Sequence, residues 1–290
     1  MNLNMPARAA PPRPDPPDGG TTAGAQTRFQ RPFLKWAGGK FRLLGHLLAT
    51  LPPGTRLVEP FVGSGAVFLN AGIAANHAAD ANAHLIGTFV RVQEDAEGVL
   101  AEAQRLFAPA NNSADAYYRL RDEFNGDLRP TARRAALFIY LNRHCFNGLC
   151  RFNRRGAFNV PFGRYRRPGL PVEEVRAFRH VAQRTTFQTA TFTATMAACR
   201  AGDVVYCDPP YVPLTATADF TGYTGIDFGE EQQRALAAAA RELAGRGVPV
   251  VISNHDTRLP GNSTVERAAN SFRCRASSVA TAATGLPPRK

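Results

Sequence analysis

The residues best equipped for chemistry are Asp208-Pro209-Pro210-Tyr211, which close the apolar run Val204-Val205-Tyr206-Cys207. The prolines restrict the backbone and hold the Pro209 carbonyl still. Asp208 adds a carboxylate acceptor beside it, and Tyr211 adds a flat face. Two acceptors and a stacking ring suit a planar base held by its exocyclic amino group. Such a grip would draw electron density to that nitrogen and aim it at a methyl donor. A plain strand-terminating turn has the same composition, so the motif needs support from elsewhere in the chain.

Support comes from three further segments. Glu59-Pro60-Phe61-Val62-Gly63-Ser64-Gly65 is expected where a strand turns into a helix beginning at Ala66. Glycines there admit a ligand close to the backbone, and a helix start offers unpaired N–H groups. An ordinary tight turn would read the same way. Asp80 ends the next strand about 20 residues on, where an acidic side chain reaches ribose hydroxyls in nucleotide-binding α/β folds. Trp36-Ala37-Gly38-Gly39-Lys40 holds the chain's single tryptophan. An indole beside Gly-Gly can line an adenosyl pocket, and the lysine can pair with a carboxylate. A phosphate loop is another use of Gly-Gly-Lys, but the longer Walker spacing is absent.

Elements must hold these residues together. The pattern predicts strands at 56–61, 77–80, 186–192, 204–207 and 248–253. It predicts helices through Leu43, Leu44, Leu47 and Leu48, over 85–106, within 117–143, and over 232–245. Strands alternating with helices imply a parallel sheet. Residues 85–184 interrupt it as a mostly helical insertion, with a hairpin or loop at 145–165. Residues 1–30, rich in Pro, Gly, Ala and Thr, read as a disordered tail.

The chain has 290 residues, 44% apolar, with a net charge of +12. That suffices for one large α/β domain with an insertion. No apolar run is long enough to span a membrane, and the N-terminus lacks a signal-peptide core. Five cysteines without CxxC or His/Cys spacing suggest a reduced protein without disulfides or zinc. A high isoelectric point suggests a polyanionic partner, although an arginine-favouring genome would also raise it. The placement is more telling than the sum. Residues 133–167 carry nine arginines and no Asp, Glu or Lys, with Phe138, Tyr140, Phe146, Phe152, Phe158, Phe162 and Tyr165 interleaved. Guanidinium forks suit phosphates and guanine edges, and aromatics can wedge or stack on bases.

Segments 33–40, 57–70, 146–165, 204–220 and 250–257 together resemble the Dam family of adenine-N6 DNA methyltransferases over about residues 29–275. The resemblance implies a Rossmann-like methyltransferase sheet at 31–84 and 185–275, with an inserted DNA-recognition domain and hairpin at 85–184. It implies S-adenosylmethionine as methyl donor, no metal, and double-stranded DNA as partner, with GATC as the site. No membrane or obligate protein partner is implied, and the setting would be cytoplasmic, in a bacterial nucleoid or phage-encoded. Trp36, Lys40, Asp80 and Asp208 match donor-binding positions, with Phe61, Gly63 and Gly65 in the glycine turn. Asp208, Pro209 and Tyr211 match the amino-group grip and base stack. Phe146 stands where the family usually has a wedging tyrosine. Asn147, Leu149 and Arg151 match the site-reading hairpin, with Arg151 on a guanine. Lys35 matches a lysine near the first base pair, and Arg164 lies in the same DNA-facing segment. Other readings are a different DNA site, an N4-cytosine target, or a DNA-binding homologue with impaired catalysis. His255, after the last predicted strand, reads as a polar capping residue, and Asp219 and Phe220 as part of a lid.

The likeness ends near Arg275. Family members continue with a serine-, asparagine- and glycine-rich turn and a final apolar strand. Here 276–290 is weakly apolar and shows no strand pattern. The third base of each codon from Arg275, joined to the first two of the next, permits Arg-Val-Ile-Ser-Cys-Asn-Gly-Gly-Asn-Arg-Thr, the kind of segment the family places there. A shifted reading frame would account for the difference. A genuine tail would leave the sheet short of its last strand and expose an edge at 248–253.

Overall fold

The computed structural model describes residues 29–210, 228–253 and 279–282. The predicted tail before residue 29, Tyr211, Asp219, Phe220 and His255 lie outside the described residues. Six strands form one sheet in the order β3-β2-β1-β4-β5-β6. These are β1 (Arg56–Glu59), β2 (Ala75–Asp80), β3 (Thr185–Thr189), β4 (Asp203–Cys207), β5 (Val250–Ser253) and β6 (Val279–Ala282). The first five run parallel and β6 is antiparallel to β5. This is an α/β, Rossmann-like sheet, and its order reverses direction between β1 and β4. Ligands in such sheets sit outside the carboxyl ends of the strands at that point.

The apolar run at β4 is buried at every position, as a central parallel strand requires. Arg56 at the start of β1 clasps Asp203 at the start of β4 with two hydrogen bonds of 2.8 and 2.7 Å, fixing the neighbouring strands. Their carboxyl ends, Glu59 and Cys207, then open toward the same rim.

Around the sheet lie α1 (Leu44–Thr50), α6 (Phe192–Ala197) and α7 (Glu230–Gly245). Between β2 and β3 the chain inserts α2 (Ala83–Leu106), α3 (Ala114–Gly126), α4 (Ala132–His144) and α5 (Val172–Ala182). The insertion shares one core with the sheet. Phe178 of α5 packs its ring against Phe33, Phe68, Phe89 and Phe187 at centroid distances of 4.9, 5.7, 4.7 and 5.8 Å. The helical region predicted over 117–143 is two helices, parted at Pro130 and each capped by a hydroxyl, from Ser113 and Thr131.

Three expectations are corrected. No helix follows the glycine turn: residues 66–71 fold as successive tight turns. The Glu59 carboxylate reaches back to accept the Phe68 N–H at 2.8 Å, and Asn70 donates to the Gln30 carbonyl, so side chains compete with helical pairing. The strand predicted over 186–192 stops at Thr189, because the Thr191 hydroxyl caps a helix beginning at Phe192. Finally, the segment 279–282 is a strand. It pairs with all four residues of β5, so that edge of β5 is covered.

Candidate active site

At the rim between β1 and β4 lies a cavity of about 470 Å³, lined by Trp36–Lys40, the glycine turn, Asp80, Phe192, Asp208–Pro210 and Phe228. Each wall follows from a local cause. The segment before α1 turns at Gly38, whose φ is +73°, and the Gly39 N–H bonds to the Trp36 carbonyl at 3.2 Å. This turn brings the Lys40 ammonium inward, where it is 8% exposed. It sits 2.8 Å from Asp208 Oδ1 and donates to the Gly38 carbonyl at 2.9 Å.

The glycine turn is shaped by crowding. Gly63 has a φ of +49°, and a Cβ there would stand 3.0 Å from the Trp36 indole nitrogen. Gly65 has a φ of +79°, and a Cβ would come 2.3 Å from the Phe68 ring. Asp80 closes the turn from the next strand: its Oδ2 accepts the Gly63 N–H at 3.2 Å and its Oδ1 the Asn82 N–H at 2.9 Å. Burial pushes the Asp80 carboxyl up to about 6, against the opposing pull of those two N–H groups. Phe61 stacks on Phe192 at 5.3 Å and meets Phe228 edge-on at 5.7 Å, giving the cavity an aromatic wall. An aromatic and glycine-lined cavity of this size with convergent charges fits a nucleoside-sized molecule.

Two residues at the rim had not been singled out. Glu59 is 2% exposed and faces the cavity. Burial pushes its carboxyl up to about 8, the Phe68 N–H pulls it down, and the Asp208 charge pushes it further up. Tyr206 shares a hydrogen bond of 2.8 Å with Ser253, tying β4 to β5 behind the site. A polar residue ending an apolar strand was the available signal for Glu59. Cys207 is fully buried and its thiol is pushed up by burial, which suits packing and not nucleophilic attack.

The hairpin at 145–165 is held by single bridges, Cys145 to Phe162 and Phe152 to Phe158. Phe146, at the base of the hairpin, is 50% exposed. Asn147 and Arg164 adopt left-handed backbone, φ +54° and +53°. Arg151 donates from Nε to Asn159 Oδ1 at 2.9 Å, which aims its guanidinium along the hairpin. Leu149 is half-buried at the turn's end. The Lys35 ammonium lies 4.6 Å from the Tyr165 ring centroid, and burial, then Arg143, lowers its pKa.

The basic, aromatic stretch divides in two. Arg133 pairs with Glu123 and Glu102, Arg134 bonds the carbonyls of Phe124 and Asp127, and Arg143 bonds the Phe33 carbonyl. These three serve the scaffold. Phe138, Tyr140, Phe152 and Phe158 are buried and cannot stack on a base. Arg154, Arg155, Arg164, Arg166 and Arg167 are exposed on the hairpin and the segment after it, with Phe146 as the exposed aromatic.

Among the described residues no cluster of three or more His, Cys, Asp or Glu is arranged to hold a metal. No helix among them is long and apolar enough to cross a membrane. Comparison with known proteins gives the family. Residues 36–272 match the family model for D12 class N6 adenine-specific DNA methyltransferase. The chain is 50% identical over 230 residues to a DNA adenine methylase of Serratia marcescens, covering 79% of this chain and 85% of that protein. It is 49% identical over 229 residues to the DNA adenine methylase of Escherichia coli K12, covering 79% and 82%. It is 46% identical over 229 residues to that of Vibrio cholerae, with the same coverage. The match spans the cavity, the inserted helices and the hairpin alike, and the chain belongs to the D12 class of N6 adenine-specific DNA methyltransferases.

Proposed function

We propose that this enzyme transfers the methyl group of S-adenosylmethionine to the N6 amino group of adenine in double-stranded DNA, at GATC. The observation that carries the reading is the position of Asp208 at the β1–β4 switch point, beside a cavity whose far walls are Trp36, Gly63 and Asp80. When bound, the donor supplies an electrophilic sulfonium methyl. Trp36, Phe61 and the glycine turn would enclose its adenosyl part, and Asp80 would take its ribose hydroxyls. Lys40 would pair with its carboxylate.

The target adenine is stacked inside the duplex and must be extruded to reach Asp208. Phe146 fills the opened step, at a cost of a few kcal/mol of unstacking. Asp208 and the Pro209 carbonyl accept hydrogen bonds from the amino group, raising electron density on its nitrogen. Tyr211 stacks on the base. Catalysis is then positioning and electrostatics. The N–C bond forms as the sulfonium S–C bond breaks, and the thioether S-adenosylhomocysteine leaves. The methylated nitrogen gives up its proton to solvent after attack, so Asp208 need not take a proton before it. Lys35, Asn147, Leu149 and Arg151 read base edges, and Arg164 holds phosphate. The division of labour places donor residues on 31–84 and 185–253 and DNA residues mainly on 85–184. The GATC assignment rests on the likeness of the 146–165 segment to the Dam family.

Labelled methyl transfer from S-adenosylmethionine to duplexes with and without GATC tests the proposal. Label should enter adenine in GATC duplexes and stay out of the others. Equal labelling of both would remove the site, and no labelling of either would remove the reaction.

A further inference from the structure

Asn142 is fully buried in α4 among apolar neighbours, in the run Ala135 to Leu141. Its amide acts as a peptide group would. Oδ1 accepts the Lys35 N–H at 2.8 Å, and Nδ2 donates to the Lys35 carbonyl at 2.9 Å. The same Nδ2 lies 3.2 Å from the Gly148 carbonyl and 3.2 Å from Cys150 Sγ. One side chain therefore fastens the segment before Trp36 to the turn Phe146–Gly148 at the base of the hairpin.

The fit is close on the other side too. Gly148 has a φ of +63°, and a Cβ there would stand 2.4 Å from Lys35 Cδ and 2.8 Å from its Cβ. The Lys35 stem is thus confined by the turn, and its ammonium rests over Tyr165. The next residue, Arg143, bonds the Phe33 carbonyl at 2.9 Å, giving a second tie from α4 to the same segment.

We infer that Asn142 is a positioning residue for sequence choice: it sets where Lys35 stands relative to the turn bearing Phe146, Asn147 and Leu149. The inference rests on the proposed role of Lys35 and the hairpin in reading DNA. Two elements far apart in sequence can read adjacent base pairs only if their offset is fixed, and the Asn142 amide is the group that fixes it. Replacing Nδ2 by an oxygen leaves at most one proton where the amide offered two, so the ties to the Lys35 and Gly148 carbonyls cannot both be kept, while the side chain's shape is unchanged.

The test compares kcat/KM of the wild type and Asn142→Asp on the preferred duplex and on duplexes with each base pair exchanged singly. Preference at the one base pair read by Lys35 should fall about tenfold, with the other positions unchanged. Added to Lys35→Ala, the Asn142 change should have no further effect at that pair. An equal loss on every duplex would mean that Asn142 only supports the core, and an unchanged preference would mean that it fixes nothing. Either result overturns the inference and leaves the proposed function standing. A wild type that prefers no duplex sinks both. Should Asn142→Asp fail to fold, Gly148→Ala presses on the same lysine from the turn side. It must weaken the same base pair, and its failure to do so is equally decisive.

Discussion

Asp208 stands 2.8 Å from the Lys40 ammonium, and under the proposed function its carboxylate would also meet an incoming amino group. Replacing it by alanine removes that acceptor without touching the hairpin arginines. The Asp208→Ala enzyme should lose about 10²–10³-fold or more in methyl transfer, by analogy with other preorganised polar groups. Its affinity for duplex DNA should stay within a few-fold of normal in a gel-shift titration, and near-normal transfer would refute the assigned role. Glu59 makes a different prediction. Its folded-state carboxyl titrates near 8 against an ordinary 4.5, because burial penalises the charge. The folded protein therefore holds this proton more tightly than the unfolded chain. That stabilisation is complete below the ordinary value and is lost as pH rises through the folded one. Glu59→Gln keeps an acceptor for the Phe68 N–H and has no proton to lose. The melting temperature of the variant, relative to wild type, should climb between pH 5 and pH 8 and level off above. Asp80, also raised, contributes equally to both proteins and cancels. A difference independent of pH would show that Glu59 is not the buried acid described.

At the level of the element, the glycine turn between β1 and β2 shows what sequence can and cannot convey. The strands were legible because apolar runs such as Val204 to Cys207 have one stable place in a parallel sheet, its centre. Asp208, Lys40 and Asp80 were legible because charged residues beside glycine or proline at strand ends have few structural reasons to be there. The helix expected at Ala66 was not formed, and no local pattern says so: the competing partners, Glu59 and Gln30, lie 9 and 40 residues from the groups they bond. β6 was missed for a similar reason, since Val279–Ala282 pairs through its backbone with β5 and needs no alternating pattern. Asn142 carries no local signal in the sequence, because its partner Lys35 is 107 residues away. The turn's geometry can be tested directly. Gly65→Ala meets the Phe68 ring, which is held by Phe178 and Phe187 and cannot retreat. It should cost about 1–3 kcal/mol of stability and weaken S-adenosylmethionine binding. Gly72 also has positive φ, +66°, but nothing lies within 4 Å of an added Cβ. Gly72→Ala should therefore cost only the backbone strain, about 1 kcal/mol, and leave donor binding unchanged. Thermal unfolding and equilibrium dialysis separate the two, and equal losses would mean that crowding at Phe68 does not shape the site.

Across the whole molecule, a net charge of +12 invites the conclusion that the protein binds DNA through charge in bulk. The fold argues for placement. Arg133 is engaged by Glu123 and Glu102, and Arg134 and Arg143 by backbone carbonyls, so these three add little to a phosphate-facing surface. Arg154 and Arg155 stand exposed in the turn at the end of the hairpin, and among the described residues neither guanidinium has such a scaffold partner, which makes them the arginines expected to meet phosphate under the proposed function. Each phosphate neutralised by a cation releases condensed counterions, and the slope of log affinity against log salt reports how many phosphates are neutralised. Removing Arg154 and Arg155 together should lower that slope by about 1 for each phosphate left without its arginine, and weaken all duplexes alike. Arg133→Ala removes the same kind of charge at a position already paired. It should leave the slope unaltered and instead lower the melting temperature slightly, because Glu123 loses its partner while Glu102 keeps Arg105. Fluorescence anisotropy at several salt concentrations reads both slopes. If Arg133→Ala flattens the salt dependence as much as the hairpin change does, total charge governs binding, and the separation of scaffold arginines from DNA-facing ones is wrong.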